Sequence, residues 1–504
     1  MEFWKKSNHS RFWEKHPAFL YGLFILIGAA SILHPSLSYI IPLGFLFYSC
    51  KNIRLLSIGL SLFVISLAHT KTLYTFPELG EEKVVGEGIF HIDSITLYAS
   101  PFQHSYLFKG HLKQFSQWKH IPCNFHISLK KERPLGNTDL AVKGVLIQKG
   151  DKKYILKLTS FAPLQSTFNL AEWRFQQKQR FTEWLKASIP DKEACSFLTS
   201  MLTGDIDDRL LNLEFNRLGL QHILGVSGFQ FVLLAAILGF LFRLALPYKL
   251  ATGCLILCLT AYFFFLGDSP PVQRAWIAVT IFLVGSLLNR KTTPLNALGA
   301  GLMIAVLHEP LSILNIGFQL SFLCTLAILL LYPAMRTWVG LLLPSRPFKE
   351  ILEMTGWQRH GYICSALIRE SLALNLAVHL LALPALLCLF GKFPLLSLAY
   401  NLFIPFGSTL VFIGSLMAIF LTALIPPLGL WVHYGNTQLT TFLLNISNNP
   451  PAYCEFFIRM PLFSLELTIG LLTLMIASVI QRQEADLQIP LDAGLSFGNH
   501  PSSG

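Results

Sequence analysis

A succession of apolar runs, each close to the ~20 residues that a helix needs to cross a bilayer, constrains this chain more than any other feature. The runs occupy roughly 18–34, 38–50 and 53–69, then resume at about 219–247, 251–267, 272–289, 294–308, 314–333, 371–390, 394–424 and 463–481. Composition agrees: 53% of residues are hydrophobic and 13% charged, against about 25% charged in soluble domains. The expectation is a polytopic α-helical membrane protein of about ten to twelve spans. Basic residues set its orientation. Lys5, Lys6, Arg11 and Lys15 precede the first run, and Lys51 and Arg54 separate the second from the third. With positive charge kept inside, the N-terminus is cytoplasmic and residue 70 emerges on the outer face. Arg243 with Lys249, Arg290 with Lys291, and the stretch Arg336 to Arg369 continue the alternation. The net charge of +11 follows from such loops and does not by itself imply nucleic acid. The first run, with no convincing cleavage site behind it, reads as a retained helix rather than a signal peptide. The 394–424 run is long enough for a broken helix or two tight spans; 428–462 offers an amphipathic helix and a turn at "NNPPAY".

Residues 72–165 change character. "CNFHISLK" puts Cys123, Phe125, Ile127 and Leu129 on alternate positions, the period of a half-buried strand. "VVGEGIFHID", "LAVKGVLIQ" and "KYILKL" read as further strands, with glycine-containing turns between them. Several short strands in so brief a segment predict a small OB-like barrel inserted after the third span, on the extracytoplasmic side. Between Lys130 and Lys157, positions 130, 131, 133, 143, 149, 152, 153 and 157 are basic, against acids at 132, 139 and 151. Lys130, Lys131, Arg133, Lys152, Lys153 and Lys157 are therefore candidates for tracking a phosphate backbone, with Tyr154 or Phe125 as stacking platforms. A solvated Lys-rich edge that discourages strand pairing is the alternative.

From Ala171 to Leu220 the pattern is helical and amphipathic. Trp173, Phe181, Trp184 and Leu185 mix with Arg174, Lys178, Arg180 and Lys186, the composition of a helix lying at a membrane surface. "TGDIDDRL" then breaks and restarts the helix, with Asp205 or Asp207 available as an N-cap, in preference to a cation site formed by the acids at 205, 207 and 208. The resulting divisions are 1–70, 71–165, 166–218, 219–482 and a polar tail, 483–504.

Polar groups inside apolar runs are costly and mark candidate sites. One set is His222, Ser227, Gly228 and Gln230 in "HILGVSGFQFVLLA"; a second is Asp268 and Arg274 around a Pro-Pro break. Pro271 suits the first turn of the next helix, which puts Arg274 about one turn further in. Gln319 and Ser321 follow in "HEPLSILNIGFQLSF", and Asn401 in "YNLFIPF". Ser227 fails as a nucleophile elbow, because Phe229 stands where G-x-S-x-G requires a second glycine. Close helix packing through Gly225, Ser227 and Gly228 is the plainer reading. Several half-polar segments in one bundle are, however, what a pathway for a hydrophilic solute requires.

In order and spacing these segments resemble the ComEC family of competence proteins. "GLQHILGVSGFQFVLLA" is similar to its Gly-Leu-x-His-Leu-Leu-Ala-x-Ser-Gly-Leu-His pattern through Gly219, His222, Ser227 and Gly228. "GDSPPVQRA" matches through Gly267, Ser269, Arg274 and Ala275, and "HEPLSILNIGFQLSF" through Pro310 and Gly317 to Phe322. Asn401 with Pro405 or Pro394 fits an Asn-to-Pro motif. The resemblance implies an inner-membrane channel that imports single-stranded DNA during natural transformation, multi-pass in a bacterial cell. It implies a cytoplasmic motor, periplasmic or surface DNA receptors and surrounding lipid as partners, and neither cofactor nor metal. This chain departs from the pattern at Gln230, where a second histidine is frequent, and at Glu309, where aspartate is usual. It also carries no His-x-His-x-Asp-His zinc motif, so strand degradation is expected of a separate nuclease, and the chain itself is not expected to be an enzyme. A transporter of a smaller anionic or lipid-linked solute and an intramembrane serine hydrolase are the alternatives.

Overall fold

The computed structural model describes residues 11–74, 83–99, 104–116, 118–128, 139–148, 154–164, 169–206, 208–267, 269–394, 396–448 and 457–488. Seven helices among them are long and apolar enough to cross a membrane: Ile53–Leu73, Gln221–Ala245, Tyr248–Leu266, Pro270–Leu287, Gly356–Phe390, Ser397–Leu424 and Leu465–Ala485. The pair Ile316–Leu330 and Tyr332–Leu342, bent by 58°, makes an eighth if it is one span. The chain is a multi-pass helical membrane protein. Ten to twelve spans were expected, and the difference lies in Pro17–Leu33, Leu37–Ser49 and Pro294–His308, each of 10–17 residues. At 1.5 Å per residue such helices fall short of a ~30 Å hydrocarbon layer.

Two compact units divide the chain. The first comprises residues 1–68, 291–393 and 459–504. Its core gathers Trp13, Phe19, Leu20, Phe24, Leu298, Ala327, Leu381 and Ile480, all buried. Helices Pro17–Leu33 and Pro294–His308 meet at paired glycines: a Cβ on Gly22 would stand 2.8 Å from the Gly299 carbonyl oxygen, and one on Gly299 2.3 Å from Phe19 Cα. Small residues allow this approach where lipid gives no hydrophobic drive to associate. Asn296 fastens the same junction, donating to the Lys15 carbonyl at 2.9 Å and accepting from the Ala18 amide at 3.2 Å.

The second unit, residues 69–290 and 394–458, begins with the barrel. Strands β1 (Val84–Ala99), β2 (His104–Phe115), β3 (Trp118–Ser128), β4 (Leu140–Gln148) and β5 (Tyr154–Pro163) close in the order β1-β2-β3-β5-β4. Only β3 and β5 pair in parallel, and the small Greek-key barrel is OB-like. The alternation expected of β3 is realised at Cys123, Phe125 and Ile127, which point inward with Ile121, and Phe125 stacks on Phe108 at 4.9 Å; Leu129 lies outside the described residues. Cys123 and Cys195 are both buried free thiols.

Helix α1 (Leu170–Ser188) follows, N-capped by Asn169. It is amphipathic as expected, but protein takes up much of its inner face. Phe175 joins the barrel core beside Tyr106, Asn169 Nδ2 donates to the Ile92 carbonyl, and Lys178 is buried. The last of these is an ion pair, with Lys178 Nζ 2.9 Å from Asp205 Oδ1. Helices α2 (Lys192–Thr203) and α3 (Arg209–Arg217) start at Asp191 and Asp208, whose carboxylates accept from backbone amides. The cap is thus Asp208 rather than Asp205, which the buried Lys178 engages instead; Asp207 lies outside the described residues. Helices α4 (Gly228–Ala245), α5 (Tyr248–Leu266) and α6 (Pro270–Leu287) pack around Phe231, Leu255, Leu259, Val272 and Ala275. Helices α7 (Leu396–Leu424) and α8 (Pro426–Asn448) form an antiparallel pair. The 394–424 run is therefore one continuous helix from residue 396, with Pro405 inside it. The "NNPPAY" turn lies largely outside the described residues.

Candidate functional site

The start of α4 answers what a serine does in "HILGVSGFQF". A four-residue helix, Gln221–Leu224, stops at Gly225, whose backbone is extended. Ser227 is also extended and is the N-cap of α4. Its Oγ accepts from the Gln230 amide at 3.2 Å, while its own amide donates to Gln230 Oε1 at 2.8 Å. This reciprocal capping box satisfies two amides that the helix start would otherwise leave bare. Gln230 is 4% exposed, so the position that departs from the family pattern holds the cap. The Ser-x-x-Gln spacing is itself a cap signal in the sequence. His222 is exposed on the preceding turn.

Gly228 opens α4 and makes room for a cation. A Cβ there would stand 2.9 Å from Arg274 Nη2 and 3.6 Å from the Ala275 Cβ. Pro270 and Pro271 occupy the first positions of α6, as expected, which sets Arg274 just over a turn along the helix, half-buried. The guanidinium thus lies over the backbone where α4 begins. The preceding connection is held by a second arginine, Arg174 of α1, the helix whose composition suits a membrane surface. Gly267 has φ +93°, and a Cβ there would meet the Arg174 side chain at 3.0 Å. Arg174 Nε donates to the Phe264 carbonyl at 2.8 Å, near the end of α5, where the helix dipole favours positive charge. Asp268 lies outside the described residues.

The α7–α8 pair carries a polar seam that no motif announced. Gly407, Gly414 and Gly429 leave room for Leu443, Asn436 and Thr422 across the pair. Asn436 Nδ2 donates to Ser415 Oγ at 2.9 Å. His433, Asn436, Thr437 and Thr440 are all buried on α8, and the His433 ring stands edge-on to Trp184 of α1 at 5.9 Å. The visible signal was the four-residue helical spacing of Asn436 and Thr440 behind His433. Asn401 is half-buried on α7, three residues before the buried Ile404.

The structure therefore brings Ser227, Gly228, Gln230 and Arg274 together. Gln319 and Ser321 belong to the first unit, both half-buried; Gln319 Nε2 donates to the Ile313 carbonyl at 2.8 Å. Of the barrel cations, Lys157 is exposed on β5, whereas Lys130, Lys131, Arg133, Lys152 and Lys153 lie outside the described residues. Phe125 is fully buried and Tyr154 is 3% exposed. Both belong to the barrel core rather than to a stacking platform.

The family model described as "Competence protein" matches residues 203–485, more than half of the chain. ComE operon protein 3 of Bacillus subtilis (strain 168) is 24% identical over 247 residues, covering 48% of this chain and 28% of that protein. The match thus spans less than a third of the relative's length. No solved structure matches.

Proposed function

The chain belongs to the competence protein family, and from that premise we propose that it is an inner-membrane channel importing single-stranded DNA during natural transformation. The carrying observation is Arg274, laid over Gly228 at a capped break where a membrane-crossing helix begins. An ionisable side chain in a membrane-spanning segment is a site candidate by default, and the planar fork of a guanidinium suits phosphate. The barrel on the outer side, in the same compact unit, would receive the strand. Arg274, Asn401, the α7–α8 seam and His222, all of the second unit, would offer it a positive charge and hydrogen-bond groups indifferent to base identity. Phosphate contacts of this kind release counterions, so binding should weaken steeply with salt.

Ser227 supports a conduit rather than a hydrolase, because its hydroxyl is engaged as a helix cap. The driving force would come from a cytoplasmic motor, and the strand from periplasmic or surface receptors. A separate nuclease would remove the complementary strand. The deciding experiment follows labelled DNA into cells that lack the chromosomal copy and have no second uptake system. Loss of uptake, restored by the wild-type chain and not by Arg274→Ala, is the expected result. Undiminished import in the deletion strain would sink the proposal.

A further inference from the structure

The outer face of β1–β3 carries a titratable cluster that the basic loops of the barrel did not announce. His91 on β1 and His111 on β2 are directly opposed in the register, their rings 5.2 Å apart. His120 on β3 stacks on His111 at 5.9 Å and 24°. Two aspartates tie the rings down: His91 Nδ1 is 2.6 Å from Asp139 Oδ1, and His111 Nδ1 is 3.1 Å from Asp93 Oδ2. A carboxylate only accepts, so Nδ1 of both rings carries the proton. His91 Nε2 already lies 3.9 Å from Asp93 Oδ1. Lys113 Nζ closes the network on Asp139 Oδ2 at 2.5 Å. The side chains of His91, Asp93, His111, Lys113 and Asp139 are between 31% and 52% exposed, open to solvent and to a ligand.

Charge on this face is nearly balanced when the imidazoles are neutral. Among the described residues Lys109, Lys113 and Lys119 stand against Asp93 and Asp139. Nearby, Lys143 on β4 is spent on Glu87 of β1, and Glu172 of α1, the helix packed on β1, accepts from Gln176. Histidine is the side chain whose charge changes between about pH 5 and 8. Protonation of three rings would therefore turn a neutralised face into a cationic one. In OB-like barrels the face of strands 2 and 3 is where oligonucleotides lie, and the cluster occupies that face.

We propose that the β1–β3 face is a proton-gated phosphate-binding surface, on which protonated His91, His111 and His120 hold the backbone of a single strand. The proposal rests on the reading of the barrel as the DNA-receiving domain. Its aspartates keep the rings oriented and offset the neighbouring lysines when the rings are neutral, so the strand is held in mild acid and released as pH rises.

The test uses the full chain in lipid nanodiscs and a short labelled single strand of mixed sequence, at about pH 5.5 and about pH 8. Affinity should rise at least about tenfold in acid, and the salt slope should steepen by roughly 2, at ~0.7 for each phosphate neutralised on a single strand. The triple variant His91→Gln, His111→Gln, His120→Gln should bind at both pH values as the wild type does at the higher one. Asp93→Asn should raise affinity at the higher pH, which keeps the proposal testable if the triple variant misfolds. His126→Gln is the control, since burial lowers the pKa of that ring. Binding with no pH dependence overturns the gate and leaves the barrel as a DNA-binding domain. Absence of binding at both pH values overturns the barrel reading, and the gate with it.

Discussion

The barrel and the α4–α6 helices lie in one compact unit, yet they use polarity in opposite senses. In the barrel, apolar side chains fill the interior and His91, His111 and Lys113 stand outside, as water on the outer face demands. In α4–α6 the outside is apolar: Phe240, Leu244, Leu257 and Phe282 are each more than 60% exposed. There the polar group is the one turned inward, as Gln230 is. A polar residue in the strand segment therefore marks surface, and one in an apolar helix marks an interior joint or a path.

The sharpest way to break this contrast is to fill the space over Gly228. Gly228→Leu must displace the Arg274 guanidinium, because even a Cβ lies 2.9 Å from Nη2. A lost charge-assisted contact of about 3 kcal/mol is roughly a hundredfold in uptake. Transformation frequency, normalised to the amount of protein in the membrane, is the readout. Arg274→Ala should fall as far, while Arg274→Lys should recover only part, since an ammonium lacks the planar fork. Normal uptake in both Gly228→Leu and Arg274→Ala would mean that the inward polar group is only a packing device.

Ser227 gives a smaller and more discriminating effect. Removing a helix cap costs about 1 kcal/mol, so Ser227→Ala should lower uptake severalfold through a looser start of α4. Ser227→Asn and Ser227→Asp keep an acceptor for the Gln230 amide and should retain most activity. A nucleophile would not survive either change, so loss in all three variants would revive the hydrolase reading.

Legibility in the sequence followed the same divide. Period-two alternation and turn signals placed four of the five barrel strands, leaving out β2, and the apolar lengths placed the long helices, because each pattern is local. The Pro-Pro break put Arg274 near the start of its helix for the same reason. What escaped were joints between distant residues. Arg274 meets Gly228, and Arg174 meets Gly267, through packing that no local period encodes. His91 opposes His111 only once the β1–β2 register is known, and a bulge between Ile92 and Ser94 shifts that register out of reach of simple counting. The error at Tyr154 and Phe125 has a different cause: alternation says which residues share a face, not which face is inside.

On the barrel, single charges should matter less than on the helices, because water screens them. Lys157→Glu reverses an exposed charge on β5 and should flatten the salt slope of strand binding by about 0.7 to 1.4, the contribution of one or two phosphates on a single strand. An effect on uptake as large as that of Gly228→Leu would erase the distinction between a collecting surface and a constrained path.

The smallest effect belongs to Asp139, and its sign with pH is fixed by its partners. Burial pushes its carboxyl up, but hydrogen bonds from Lys113 and His91 and their charges outweigh that and hold its pKa below the usual value. A carboxylate depressed in the folded state stabilises the fold above its unfolded pKa of about 3.9. That contribution is lost as pH falls through the folded pKa. Because the side chain is 31% exposed, it should amount to less than about 1 kcal/mol. Amide hydrogen exchange along β1–β3, corrected for the intrinsic pH dependence of exchange, provides the local reporter. It should show Asp139→Asn slightly less protected than wild type at about pH 6, the gap closing as pH drops below the unfolded aspartate pKa of about 3.9. A gap that widened in acid would mean that the carboxyl is strained rather than held by Lys113 and His91, and the network on β1–β3 would lose its anchor.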